Sequence, residues 1–299
     1  MSSTGEVLVD YVSAQVRQIE DHEAGVRAAA PDAVHRVRVS ARRLRSVLVT
    51  YRDAVRTGRV DPLARELKWL AGSLGEARDS EVILDRLVAL LAEQPDDLVV
   101  GPVGPRLHLE LDGRLAAGRV AAVAALDGPR YRELRARLDA FVADPPLDRS
   151  AAGPAAQQLS GPLERVLRRL VVRVREAQEA DDVEDRQRLL HDVRKGAKRL
   201  RYAADLAAPA LGDGATALVR TATTLQEVLG QYHDSVVIRE ALRRLAEQAD
   251  RHGESAFTYG RLHALEESRA AGLEAAFDIA ARELPRAITA RGRLASVGC

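Results

Sequence analysis

Apolar residues recur along most of this chain at steps of three and four, the spacing that puts them on one side of a helix. No segment sustains the alternation of a half-buried strand, so the pattern predicts an all-α protein. The helices are expected at about 4–30, 34–57, 61–93 and 104–126, with a short one at about 129–142. Four more follow at about 157–180, 185–208, 213–250 and 254–288. Turn chemistry marks the breaks: Ala30-Pro31-Asp32, Gly58, Pro95-Asp96-Asp97, Gly101 to Pro105, Gly212-Asp213-Gly214 and Gly253. Trp69, among Leu63, Leu67, Leu70 and Leu74, reads as core.

The order of elements repeats. His35-Arg36-Val37-Arg38-Val39-Ser40-Ala41-Arg42-Arg43-Leu44-Arg45 resembles His191-Asp192-Val193-Arg194-Lys195-Gly196-Ala197-Lys198-Arg199-Leu200-Arg201, 156 positions later. Leu74-Gly75 to Asp79-Ser80 matches Leu229-Gly230 to Asp234-Ser235, and Leu107-His108 with Arg114 matches Leu262-His263 with Arg269, both at an offset of 155. Blocks in the same order at nearly constant offset indicate an internal duplication. The units are read as 1–143 and 157–299, joined by a Pro- and Gly-bearing linker at 144–156.

At 100° per residue, His35, Arg38, Arg42 and Arg45 fall on one stripe, opposite Val37, Ala41, Leu44, Leu48 and Tyr51. His191, Arg194, Lys198 and Arg201 repeat it, opposite Val193, Ala197, Leu200 and Ala204. Arg43, Lys195 and Arg199 flank the stripes. The chain's net charge is only +1, yet His35 to Arg52 holds six arginines and no acid, and Val193 to Ala204 holds five Arg or Lys and no acid. The remainder is therefore net acidic, and the basic charge is concentrated as a localised anion site requires. Exposed helices gain stability from acids one turn away from bases, whereas these stripes stack like charges. A stripe from His35 to Arg45 rises about 15 Å at 1.5 Å per residue, long enough for several phosphates in a row. The arginine fork suits phosphate, and histidine adds a donor.

These residues carry a recognisable pattern. The helix His-x2-Arg-x3-Arg/Lys-Arg-Leu-Arg, followed by the Leu-Gly-x2-Arg/His-Asp block, each present twice, resembles the CHAD family, the conserved histidine α-helical domain. The resemblance covers nearly the whole chain. It implies two four-helix bundles related by a pseudo-two-fold axis, with a basic channel between them. It also implies binding of inorganic polyphosphate and association with polyphosphate granules. Residue by residue, the family's histidines correspond to His35 and His191. Its channel bases correspond to Arg38, Arg42, Arg45, Arg194, Lys198 and Arg201. The halves differ, since Arg36 and Arg78-Asp79 stand where the second half has Asp192 and His233-Asp234. Some members carry a triphosphate-tunnel domain with a Glu-x-Glu-x-Lys signature, which this sequence lacks, so a stand-alone binding domain is expected.

Supporting roles are also expected. Asp79 and Asp234 are placed to pair with arginines of the preceding helix and fix their rotamers. Arg114 and Arg269 are expected to extend the basic lining. Three other chemistries compete. His191-Asp192 and His233-Asp234 are the dipeptides of metal-dependent HD phosphohydrolases, but their counterparts in the first half are His35-Arg36 and Arg78-Asp79, and the surrounding bases repel a cation. His35 and His191 facing each other would make a weak metal site without carboxylates. RNA or DNA offers the same phosphates, but aromatics make up only 3% of the chain, which leaves little for base stacking. No catalytic residue, cofactor or metal is expected. The lone Cys299, the lack of a signal-peptide pattern in MSSTGEVLVDYV and the shortness of apolar runs such as Val120 to Leu126 point to a cytoplasmic protein without a membrane span.

Overall fold

The computed structural model describes residues 2–284. Cys299 and the end of the helix expected to reach 288 lie outside them. Among the described residues the chain is helical, with no strand beyond two isolated bridges. The helices are α1 (Thr4–Arg27), α2 (Ala33–Thr50), α3 (Val60–Ser73), α4 (Gly75–Ala92), α5 (Val103–Asp127) and α6 (Pro129–Ala143), then α7 (Ala155–Glu179), α8 (Val183–Leu211), α9 (Asp213–Arg251) and α10 (Phe257–Ala281). None of them is long and apolar enough to cross a membrane.

Local chemistry sets the ends. Ser3 caps α1 by accepting from the Glu6 amide while the Glu6 carboxylate accepts from the Ser3 amide. The Asp182 carboxylate caps α8 through the Asp185 amide. The segment expected as one helix over 61–93 breaks at Leu74, between α3 and α4. There Gly72-Ser73 weakens the backbone ladder, and the Ser73 hydroxyl donates back to the Trp69 carbonyl at 3.1 Å. The second half has Glu227-Val228 in those places, and α9 runs through unbroken. The helix expected over 34–57 ends at Thr50, and a single 3-10 turn at Arg52–Ala54 leads to Gly58, which has φ 83°.

α2 and α8 lie side by side. Val37, Ala41, Leu44 and Leu48 on α2, and Val193, Ala197, Leu200 and Ala204 on α8, are all fully buried. They belong to a core that both halves of the chain share, together with α1, α3, α6, α7 and the first half of α9. A second apolar cluster joins the outer parts of α4 and α5 to those of α9 and α10, through Leu87, Leu107, Leu242 and Leu262 among others. Two glycines permit close helix approach. A Cβ on Gly118 would sit 2.6 Å from the Ala77 amide nitrogen, and one on Gly196 would sit 2.9 Å from Leu170 Cδ1.

A buried ion pair also ties the halves together. Glu266 on α10 is fully buried, and Arg86 on α4 reaches its Oε1 at 2.7 Å, with Arg269 at 3.6 Å. Arg86→Ala strands a buried carboxylate with one distant partner and is expected to cost about 3 kcal/mol of stability in urea unfolding. Arg86→Met with Glu266→Leu, which removes both charges, is expected to recover most of that loss; equal destabilisation by the single and double variants would rule out the charge as the cause.

Candidate anion-binding cavity

Between the two apolar clusters lies a cavity of about 530 Å³, walled by α2 and α8 on one side and by α4 and α9 on the other. α2 presents His35, Arg38, Val39, Arg42 and Arg43, and α8 presents Arg194, Lys198, Arg201 and Tyr202. α4 contributes Arg78, Asp79, Val82 and Ile83, while α9 contributes Gln226, Gly230, His233, Asp234, Val237 and Ile238. The reason is spacing. Positions 78, 79, 82 and 83 share one helix face, and 233, 234, 237 and 238 are the same face 155 residues later. Ile83 and Ile238 also belong to the outer apolar cluster, so the far wall ends in core.

Seven Arg or Lys side chains meet two carboxylates here. Arg38 donates to Asp79 Oδ1 at 3.0 Å and to the Gly75 carbonyl at 3.1 Å. Arg201 donates to Gln226 Oε1 at 3.2 Å, and the Arg43 guanidinium lies 5.7 Å from the Tyr202 ring centre. Arg42, Arg194 and Lys198 have no acid within 4.0 Å among the described residues. The Nε atoms of Arg38, Arg42, Arg43 and Arg194 are shielded from solvent and bond to nothing. Such donors are costly to leave unpaired, about 1–3 kcal/mol each.

The titratable groups report the same crowding. Burial pushes Lys198 down to about 7, helped by the Arg194 and Arg42 charges. Burial, Arg194 and His191 hold His233 at about 4. His35 is lowered by burial and then by Arg78, and His191 by burial and then by Lys195. Arg42 and Arg194 are also lowered, chiefly by burial. Asp234 is raised by burial, against the pull of Arg194 and Lys198. The histidines therefore lose their protons more readily than free imidazoles, and Lys198 is no longer firmly protonated at neutral pH.

The structure places some sequence-predicted residues elsewhere. Arg45 and Arg199 are absent from the lining, although Arg45 lies on the same stripe as Arg38; Arg199 instead feels the charges of Arg173 and Arg169 on α7 and of Arg45. Lys195, one position past Arg194, points out and pairs with Asp192 at 3.2 Å. Arg114 is exposed on α5, and Arg269 on α10 is held by Gln231 at 3.2 Å and by Glu266. No residue of α5 or α10 lines the cavity, because α4 and α9 stand in front of them. His191 is not among the lining residues, whereas His35 is. The His191 ring lies 5.2 Å from that of His233, and the cations that act on His35 are Arg78, Arg42 and Arg38. Asp79 pairs with Arg38 as expected, but Asp234 makes no ion pair with Arg194 within 4.0 Å. Among the described residues no three His, Cys, Asp or Glu side chains are grouped to hold a metal. Sequence reasoning did not name Arg78, His233, Tyr202 and Gln226 as lining. For Arg78 and His233 the signal was present, since they sit one residue before the repeated aspartates on the same helix face.

Comparisons with known proteins agree with this architecture. The CHAD domain family profile matches residues 10–243. Two uncharacterized proteins of Mycobacterium tuberculosis, MT2285 of strain CDC 1551 / Oshkosh and Rv2226 of strain ATCC 25618 / H37Rv, are each 35% identical over 280 residues, which is 93% of this chain and 53% of theirs. The chain thus spans about half the length of these curated relatives. Among solved structures, the CHAD domain from the plant Ricinus communis superposes with a TM-score of 0.73 at 27% identity, covering 94% of this chain and 92% of that one. PptA from Streptomyces chartreusis superposes with a TM-score of 0.74 at 22% identity, covering 93% and 99%, and shares the fold. With a family match over most of its length and relatives at this identity, the chain belongs to the CHAD domain family.

Proposed function

We propose that this chain is a binding protein, not an enzyme, that holds inorganic polyphosphate in the cavity between α2, α8, α4 and α9, and that it acts at polyphosphate granules, as its family resemblance suggests. The observation that carries the reading is the excess of cations in one cavity, where seven bases meet two carboxylates and Arg42, Arg194 and Lys198 have no acid within 4.0 Å among the described residues. Phosphate oxygens accept from the cavity-facing guanidinium and ammonium groups and relieve the repulsion among the cations. A linear polyphosphate brings one charge or more per unit, which matches the seven bases of the lining. Nucleic acid brings the same charge but needs stacking platforms. The phenolic ring in the lining, Tyr202, is already covered by Arg43.

A proton balance tests the reading. An anion beside Lys198, His35 and His233 favours their charged forms, so their pKa values rise on binding from lowered values in the empty protein. The complex then holds more protons than the free protein, and affinity is expected to rise as the pH falls from about 8 to about 6. Calorimetric titration of long-chain polyphosphate at pH 7, in buffers of different ionisation enthalpy, is expected to show net proton uptake. Proton release, or stronger binding of single-stranded RNA than of polyphosphate, would remove the assignment.

A further inference from the structure

Arg45 and Arg199, which the cavity does not use, point to a second basic surface. On α7, Arg165, Arg169 and Arg173 follow one another at four-residue steps and so form a stripe, about 12 Å long at 1.5 Å per residue. α7 packs closely on α8 at Gly196, where Arg173 Nη1 lies 3.6 Å from the place a Cβ would occupy. Arg199 is one turn farther along α8. Arg45, on the adjoining α2, keeps a shielded Nε with no partner. Among the described residues, none of Arg45, Arg169, Arg173 and Arg199 has an acid within 4.0 Å, while Arg165 is only loosely held by exposed Asp53 at 3.8 Å. Burial and then the charges of Arg173, Arg45 and Arg169 lower Arg199, so these groups feel one another.

The first half lacks this surface. The buried positions of α1 (Leu8, Val12, Val16 and Ile19) align with those of α7 (Leu159, Leu163, Leu167 and Leu170) at an offset of 151. On that alignment Ala14, Gln18 and His22 stand where α7 has Arg165, Arg169 and Arg173. His22 Nδ1 is spent on the Gln18 carbonyl at 2.8 Å. A chain leaving the cavity therefore meets a run of arginines on the α7 side and neutral groups on the α1 side.

We infer that Arg45, Arg199, Arg173 and Arg169 form a one-sided track that binds the part of a long polyanion extending beyond the cavity. The inference rests on the polyphosphate reading above and adds a consequence for ligand length. Short polyphosphates use the cavity alone, and long ones gain the track as well. Because the second segment is tethered to the first, its contacts add to affinity without a second entropic cost of association.

The test uses the full chain with Arg169→Glu/Arg173→Glu and, as a milder pair, Arg169→Gln/Arg173→Gln. Both positions lie away from the α7 residues that enter the core, and circular dichroism melts report whether the fold persists. Affinity for long-chain polyphosphate is expected to fall about tenfold in the reversal variant and less in the glutamine variant. The slope of log affinity against log salt is expected to shrink by about 1.4, at roughly 0.7 per lost phosphate contact. Affinity for tripolyphosphate is expected to stay within about twofold of wild type. Unchanged long-chain affinity, or equal losses for tripolyphosphate and the long polymer, overturns the track while leaving the cavity reading standing. A wild-type protein that binds neither ligand overturns the cavity reading itself, and the track with it.

Discussion

Arg42→Glu combined with Lys198→Glu is expected to reduce affinity for long-chain polyphosphate by at least about 100-fold. The two side chains occupy matching places on α2 and α8 and both line the cavity. Neither has an acid partner, so their hydrogen-bonding capacity is free for a ligand. A charge-assisted hydrogen bond contributes about 1.5–3 kcal/mol, and two lost together correspond to roughly 10²- to 10⁴-fold. The new carboxylates also repel the phosphates directly.

The same substitution is expected to leave the empty protein as stable as before or more so. Lys198 sits at about 7 because burial and the neighbouring Arg194 and Arg42 disfavour its charge. A base whose pKa is lower folded than unfolded binds fewer protons in the native state. Its destabilising effect is largest below the folded value and fades as the pH rises from about 7 toward the unfolded value. The empty wild-type protein should accordingly gain stability from Lys198 across that window, and the variant should lose that part of the pH dependence. Thermal melts of both proteins without ligand, from pH 6 to pH 9, check the sign. Full affinity with intact helicity would show that the cavity is not the site. A large drop in melting temperature would show that these bases support the fold instead of opposing it.

How far the sequence foretold this site depends on what a periodic pattern can encode. The 3.6-residue period fixed which face of α2 and α8 is buried: Val37, Ala41, Leu44 and Leu48, with Val193, Ala197, Leu200 and Ala204, are inside, and Arg38, Arg42, Arg194 and Lys198 face the cavity. It could not fix what stands opposite each turn of that face. Arg45 has nearly the same helical angle as Arg38 but lies two turns on, outside the lining and beside Arg199 of α8. Arg114 and Arg269 were in register with the repeat, yet α5 and α10 form a layer behind the wall. The break at Leu74 was missed because Gly72-Ser73 is a weak stop signal inside a strongly periodic segment. The walls from α4 and α9 were the most legible omission. Gly75, Arg78, Asp79, Val82 and Ile83 recur as Gly230, His233, Asp234, Val237 and Ile238, which is one helix face written twice. The Leu-Gly-x2-Arg/His-Asp block already holds Arg78 and His233 at one position, but taken only as a difference between the halves that position does not announce itself as the cavity's second pair of bases.

Binding of long-chain polyphosphate is expected to weaken steeply with salt and to raise the melting temperature by an amount that pyrophosphate cannot match. The empty cavity brings together Arg38, Arg42, Arg43, Arg78, Arg194, Lys198 and Arg201, offset by Asp79 and Asp234 alone. Their repulsion is screened in solution over about 8 Å at physiological salt, but less so where solvent is excluded. A bound polyanion removes that repulsion and sheds the counterions it carried. With five to seven phosphates neutralised, the log–log slope is about 4, by analogy with single-stranded polyanions at roughly 0.7 per phosphate. A ligand that binds only the folded state at about 1,000 times its Kd adds about 4 kcal/mol of stability, on the order of 10 °C for a chain of this size. Pyrophosphate has two phosphates and reaches only a few of the bases at once. It is expected to show a slope of about 1.4 and a shift of no more than a few degrees at the same concentration. Fluorescence titrations at several salt concentrations, paired with thermal melts, measure both quantities. A salt-independent affinity, or equal stabilisation by pyrophosphate and the long polymer, would mean that the cavity recognises a compact anion through a few fixed contacts, and that the length of the basic surface plays no part in binding.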